Sequence, residues 1–191
     1  MRSGLLAFLF VLVAARSSSA EWQVKPFFGL SFGSSATFAL NEEIDDPKVI
    51  LGVSTMWLGE IVGLEADFSL APGFLGDPSP LVLSSRLTTL TGNVVIALPK
   101  RLAQYSLRPY FVGGGGLVRV RQEDTVDALP VASTLAALDI GGGVTGFLSD
   151  RVGLNWEIRR FRSLGGSARG ISIGPERVSF WRASMALALR Y

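Results

Sequence analysis

The stretch SFWRASMALALRY, residues 179–191, alternates without a break. Trp181, Ala183, Met185, Leu187, Leu189 and Tyr191 fall on one side, and Arg182, Ser184, Ala186, Ala188 and Arg190 on the other. Successive side chains of an extended chain point to opposite faces, so a period of two means a strand with one apolar face and one face of small and charged groups. The same period recurs upstream. Val152, Leu154, Trp156 and Ile158 alternate with Gly153, Asn155, Glu157 and Arg159, and Val62, Leu64, Ala66 and Phe68 alternate with Gly63, Glu65, Asp67 and Ser69.

Carried along the chain, the pattern predicts eight strands, at about 22–33, 49–57, 61–70, 85–98, 107–121, 134–148, 151–162 and 179–191. The connections at 58–60, 99–106 and 149–150 are short, whereas those at 34–48, 71–84, 122–133 and 163–178 are long. Short turns at one end and long loops at the other are the pattern of an up-and-down transmembrane barrel. A twelve-residue strand rising about 3.3 Å per residue and tilted by about 45° covers roughly 28 Å, the height of an apolar membrane band. The expected fold is therefore all-β, an eight-stranded antiparallel up-and-down transmembrane β-barrel.

Composition agrees with strands. The chain has 191 residues, 48% of them hydrophobic, with 22 Gly and 12 Phe, and its mean hydropathy is +0.38. No apolar run approaches the roughly 20 residues of a membrane-spanning helix. There is no Cys and no His, which excludes disulfide frameworks, Cys-ligated zinc, thiol nucleophiles, Ser-His-Asp triads and HExxH metal sites. Gly113–Gly116 and Gly141–Gly143 are not followed by a helical pattern, so neither run is a phosphate-binding loop. They read instead as room for long side chains in a narrow interior. An enzyme would have to work with carboxylates alone, such as Glu65 and Asp67. With arginines available opposite, those two read as ion-pair partners. No enzymatic activity, cofactor or metal site is expected.

Residues 1–20, MRSGLLAFLFVLVAARSSSA, have the form of a cleaved signal peptide: a charged start at Arg2, an apolar run from Leu5 to Ala15, and the small residues Ser18-Ser19-Ala20. The mature chain would begin at Glu21 and form a single outer-membrane domain over 21–191. Removing Arg2 and Arg16 from 18 basic residues leaves 16, equal to the 16 acids. A balanced charge offers nothing to nucleic acid.

Alternation alone does not say which face is inside. A soluble, lipocalin-like barrel would enclose an apolar ligand with its greasy face, whereas a small membrane barrel turns that face outward. The charges favour the second. Lys25, Glu65, Asp67, Asp139, Glu157, Arg159, Arg182 and Arg190 share the polar face with Ser31, Thr89, Thr91, Asn93 and Asn155, four acids and four bases able to pair in a plugged, non-conducting lumen. Trp22, Trp57, Tyr110, Phe147, Trp181 and Tyr191, near strand ends, suit interfacial girdles. The acidic runs Asn41–Asp46 and Gln122–Asp127 fall in the long loops and read as solvated charge, although clustered carboxylates also suit a hard cation. Arg159, Arg160 and Arg162 form a basic cluster at the loop-side rim, suited to lipopolysaccharide phosphates.

The runs PYFVGGGGLVRV (109–120) and LDIGGGVTGFLSDRVGLNWEIRRF (138–161), with the closing SFWRASMALALRY, resemble the outer-membrane beta-barrel domain family, the small OmpA-type eight-stranded barrels of Gram-negative bacteria. The likeness covers 21–191. It implies export to the outer membrane and contact with outer-membrane lipid and lipopolysaccharide. It implies also insertion by the barrel-assembly machinery, which reads a terminal aromatic, here Tyr191 where Phe is commoner. A structural or surface-interaction role through the outer loops, as a monomer, follows from it, without the wall-anchoring domain of larger relatives.

Overall fold

The computed structural model describes residues 20–36, 42–44, 47–74, 82–99, 107–124, 131–164 and 177–191. The expected signal peptide lies outside the described residues, apart from its last residue, Ala20. The strands are β1 (Glu21–Ala36), β2 (Glu42–Ile44), β3 (Lys48–Leu58), β4 (Val62–Pro72), β5 (Val82–Ala97), β6 (Leu107–Asp124), β7 (Val131–Phe147), β8 (Val152–Ser163) and β9 (Val178–Arg190).

Each long strand pairs antiparallel with the next, and β9 returns to β1. The eight long strands thus close an up-and-down barrel. Closure leaves no row of unpaired backbone N–H and C=O groups, which is what permits such a wall to stand in hydrocarbon. The short turns after β3, β5 and β7 gather at one end with Glu21 and Arg190. The strand ends that lead into the long connections lie at the other.

Two features differ from the sequence expectation. The ladders of β5, β6 and β7 run past the hydrophobic pattern: Val82 still pairs with Asp124, and Gln122 with Val131. The alternation that marks a strand stops at the apolar rim, while backbone hydrogen bonding continues beyond it. The segment Glu42–Ile44, expected within a loop, pairs as β2 with Ser34–Ala36; three residues without alternation carry no strand signal. Where β1 reaches this extension its register with β9 shifts between Phe32 and Ser35, and Gly33 takes the left-handed φ of 55° that a side chain resists.

Burial follows the period. In β4, Gly63, Glu65, Asp67 and Ser69 are buried and Val62, Leu64, Ala66 and Phe68 exposed. The apolar face is therefore the outer wall, with Phe111 76% and Ile140 69% exposed. That orientation is the reverse of a soluble ligand-binding barrel.

The interior is layered, and here the expectation of a wholly polar lumen is corrected. At the long-loop end Phe27, Ile50, Phe74, Leu87, Phe161 and Phe180 belong to a buried apolar cluster. At the short-turn end Met56, Leu58, Val95, Ala97, Tyr110 and Val112 form a second. The charged residues lie between them. Phe180 stacks on Phe161 at 4.8 Å and takes the edge of Phe74 at 5.4 Å. Gly73, at φ 68° with its N–H donated to the Ser85 carbonyl at 2.7 Å, turns the chain after β4 so that Phe74 drops into the barrel mouth.

Candidate functional site

The site is the charged layer. Each side chain reaches it because its position has lumen parity on its strand: Lys25 on β1, Glu65 and Asp67 on β4, Asp139 on β7, Glu157 and Arg159 on β8, and Arg182 on β9. All are buried, and Arg159 and Arg182 have no exposed surface. A buried charge is tolerable only when paired and hydrogen-bonded, and these are.

Arg159 is the hub. Its Nε and Nη2 donate to Glu157 at 2.5 and 2.6 Å, its Nη1 to Asp139 at 3.2 Å, and its Nη2 also to Glu65. The Lys25 Nζ meets the other oxygen of Glu65 at 3.0 Å. Arg182 holds both oxygens of Asp67 at 2.8 Å and reaches Glu157 at 3.2 Å. Its guanidinium lies 4.5 Å from the Phe27 ring centre and 5.1 Å from that of Phe161, so the loop-side apolar cluster forms its lid.

Neutral groups complete the layer. With the Asn93 amide oriented so that its oxygen accepts from Arg159 at 2.7 Å, its nitrogen donates to Asp139 at 2.9 Å. The Tyr110 hydroxyl donates to Glu157 at 2.7 Å and accepts from Asn155 at 2.9 Å. Ser69 and Thr89 share a hydrogen bond of 2.6 Å.

Glycine makes the room. On β7, Gly141 and Gly143 have lumen parity. A Cβ on Gly143 would sit 2.7 Å from the Tyr110 hydroxyl, and one on Gly141 would sit 2.7 Å from the Arg159 Cγ.

Three expected positions change. Arg190 lies outside the layer, at the short-turn rim, where it donates to the Asp150 carbonyl at 2.7 Å, meets Glu21 at 3.4 Å and covers the Phe147 ring at 4.3 Å. It is the penultimate residue, too near the strand end to reach the middle. Tyr110 is interior rather than in a girdle, because its even number gives it the parity of Val112 and Gly114 on β6. Arg159 faces the lumen, so only Arg160 and Arg162 of the basic cluster remain on the wall. The Asn41–Asp46 and Gln122–Asp127 side chains lie outside the described residues.

Sequence reasoning missed Arg108. Its Nε donates to the Leu98 carbonyl at 3.0 Å, its Nη2 to the Gly59 and Glu60 carbonyls at 3.1 and 2.7 Å, and its Nη1 meets Glu21 at 3.6 Å. It ties two short turns across that end of the barrel. The signal was present: Arg108 is two residues before Tyr110 and shares its face.

Chemically the layer is an ion network in which each carboxylate accepts from at least one cation. It offers no carboxyl pair set apart for acid–base work. Among the described residues no group of His, Cys, Asp or Glu could hold a metal ion.

No protein-family model and no curated protein matches the sequence. Solved structures do match. Neisserial surface protein A (NspA) superposes with a TM-score of 0.67 at 13% identity, over 89% of this chain and 97% of that one. The outer membrane protein OprG of Pseudomonas aeruginosa gives 0.58 at 11% identity, over 90% and 96%. Ail, the attachment invasion locus protein of Yersinia pestis, solved with the heparin analogue sucrose octasulfate, gives 0.55 at 12% identity, over 89% and 99%. The fold is that of the small eight-stranded outer-membrane barrels.

Proposed function

We propose that this chain is a non-enzymatic outer-membrane protein whose barrel is a closed, non-conducting scaffold and whose long loops carry a surface-interaction role. The observation that carries the reading is the inversion of the barrel: an apolar wall around a buried ion network closed by apolar side chains at both ends. Such a wall has no place in water, and such an interior leaves no path for solute.

The outer membrane of a Gram-negative bacterium is the setting, reached through the signal peptide at 1–20 and the barrel-assembly machinery, with Tyr191 as the insertion signal. Attachment, as in the name of Ail, and exposure, as in that of the Neisserial surface protein, are the kind of role that suits long loops on an inert barrel.

Fractionation of the native protein tests the location. The expected result is mature protein starting at Glu21 in the outer-membrane fraction, with loops cut by protease added to intact cells. Recovery in the soluble periplasm contradicts the reading.

A further inference from the structure

On the outward-facing positions of the long strands, every charged residue whose side chain is described is an arginine: Arg86 on β5, Arg119 and Arg121 on β6, Arg160 and Arg162 on β8. All lie at the long-loop end. The one acid of outward parity on these strands is Glu123, two residues beyond Arg121 on β6, on the far side of the arginines from the apolar band.

Their placement is costly without a counter-ion. Arg86 and Arg121 are direct cross-strand partners, and Arg119 follows Arg121 on the same face. Like charges directly opposite on one face of a sheet repel. On β8, Arg160 rests over the Trp181 ring at 5.3 Å, which holds its guanidinium against the wall.

Below Arg160 the wall carries an open depression. A groove of about 820 Å³ runs over Ala183 and Gly142, flanked by Phe28, Leu30, Trp156 and Met185. Small residues form its floor because Ala183 pairs with both Leu30 and Ile158, and Gly142 with Ile158. The groove begins one outward position from Arg160 on β8.

We propose that these arginines bind the phosphate groups of anionic glycolipids of the loop-side leaflet at two places on the wall, Arg86, Arg119 and Arg121 on β5 and β6 and Arg160 and Arg162 on β8. The groove, which lies on the β8 side and away from β5 and β6, receives an acyl chain of the lipid held at Arg160. Guanidinium suits this role because it never loses its charge and offers a planar fork to phosphate oxygens. The apolar lining fits a hydrocarbon chain, and the lipid's own charge answers arginines that outnumber the acids of outward parity on the long strands five to one. The proposal rests on the outer-membrane reading above and supplies the lipid partner for it.

The test uses the full mature chain, folded in dodecyl maltoside micelles, with bound lipid counted by native mass spectrometry. The probes are lipid A carrying its phosphates, the same lipid with them removed, and inorganic phosphate. Folding of every variant is checked by its mobility on a gel without heating. The wild-type barrel should retain phosphorylated lipid at least about tenfold better than the dephosphorylated form, the scale of one charge-assisted hydrogen bond. Arg86→Gln with Arg121→Gln, and Arg160→Gln with Arg162→Gln, should each lower that preference. Ala183→Phe, which fills the groove, should weaken retention of both lipids. Equal retention of the two lipids by the wild type, or no loss on removing all four charges, overturns the proposal. So does displacement of the lipid by millimolar inorganic phosphate, which would make the site one for free phosphate. Lipid-free dimers abolished by Ala183→Phe would make the groove an interface between two copies. Because the readout is lipid on purified barrel, its failure and a failure of the location are told apart.

Discussion

Arg182 and Asp67, 115 positions apart in the chain, are joined by two parallel hydrogen bonds of 2.8 Å across the barrel interior. Bidentate geometry of this kind fixes two side chains in one arrangement, and here it links β9 to β4 behind β1 and β3. Breaking such a pair by removing one partner leaves a buried charge without its partner and costs about 3 to 5 kcal/mol, whereas apolar replacement of both can be nearly neutral. Asp67→Ala should therefore lower the urea midpoint of the detergent-folded barrel more than Asp67→Leu combined with Arg182→Met. A double variant less stable than the single one would contradict the account.

With Arg190 at the rim, Lys25, Arg159 and Arg182 face four carboxylates, Glu65, Asp67, Asp139 and Glu157. The layer holds one acid more than its bases match. Asp139 is the least engaged, with one contact to Arg159 at 3.2 Å and the Asn93 amide at 2.9 Å. Glu65 meets both Lys25 and Arg159. Asp139→Asn should accordingly be tolerated, and Glu65→Gln should destabilise clearly, in the same urea titrations. Equal losses would show that the charge count does not govern the layer.

Gly143 on β7 has lumen parity, and Gly113 on β6 faces outward. A methyl on Gly143 meets the Tyr110 hydroxyl at 2.7 Å and the Trp156 carbonyl at 2.5 Å, whereas one on Gly113 meets nothing nearer than the Asp139 carbonyl at 3.7 Å. Gly143→Ala should cost about 1 to 3 kcal/mol, the usual range for overpacking. Gly113→Ala should be close to neutral by thermal unfolding.

Much of this was legible in a period of two. The alternation at 62–69, 152–159 and 181–191 gave the parity of nearly every lumen residue, and the unequal connection lengths gave the topology. Arg190 was misread because parity says which way a side chain points and not how far along the axis it sits. The aromatic lid was missed for a related reason: Phe161 and Phe180 obey the alternation, but hydrophobicity there reads as lipid face, and only the register of Arg160 against Trp181 reveals that the apolar side has moved inward. Phe74 lies beyond any periodic segment, so its place in the barrel mouth depends on a turn that pattern does not encode. Pattern alone also leaves Glu157 as one polar residue among several, whereas in the fold it holds Arg159, Arg182 and Tyr110 at once.

Tyr191 has little to do in the folded barrel. Its side chain is 81% exposed and its backbone N–H donates to the Trp22 carbonyl at 2.9 Å. Deleting it should leave refolding into detergent micelles unchanged while blocking insertion in cells, so that mature protein collects in the periplasm as a protease-sensitive species. Outer-membrane assembly at wild-type levels would mean that Tyr191 is not the insertion signal.

Recording current from the purified barrel in planar lipid bilayers tests the central claim most directly. Eight strands enclose an interior just wide enough for side chains to fill it, and the proposed closed scaffold rests on the ion layer between the two apolar clusters doing so. The wild-type protein should insert without stable single-channel openings. Sustained openings of porin size would contradict a closed interior.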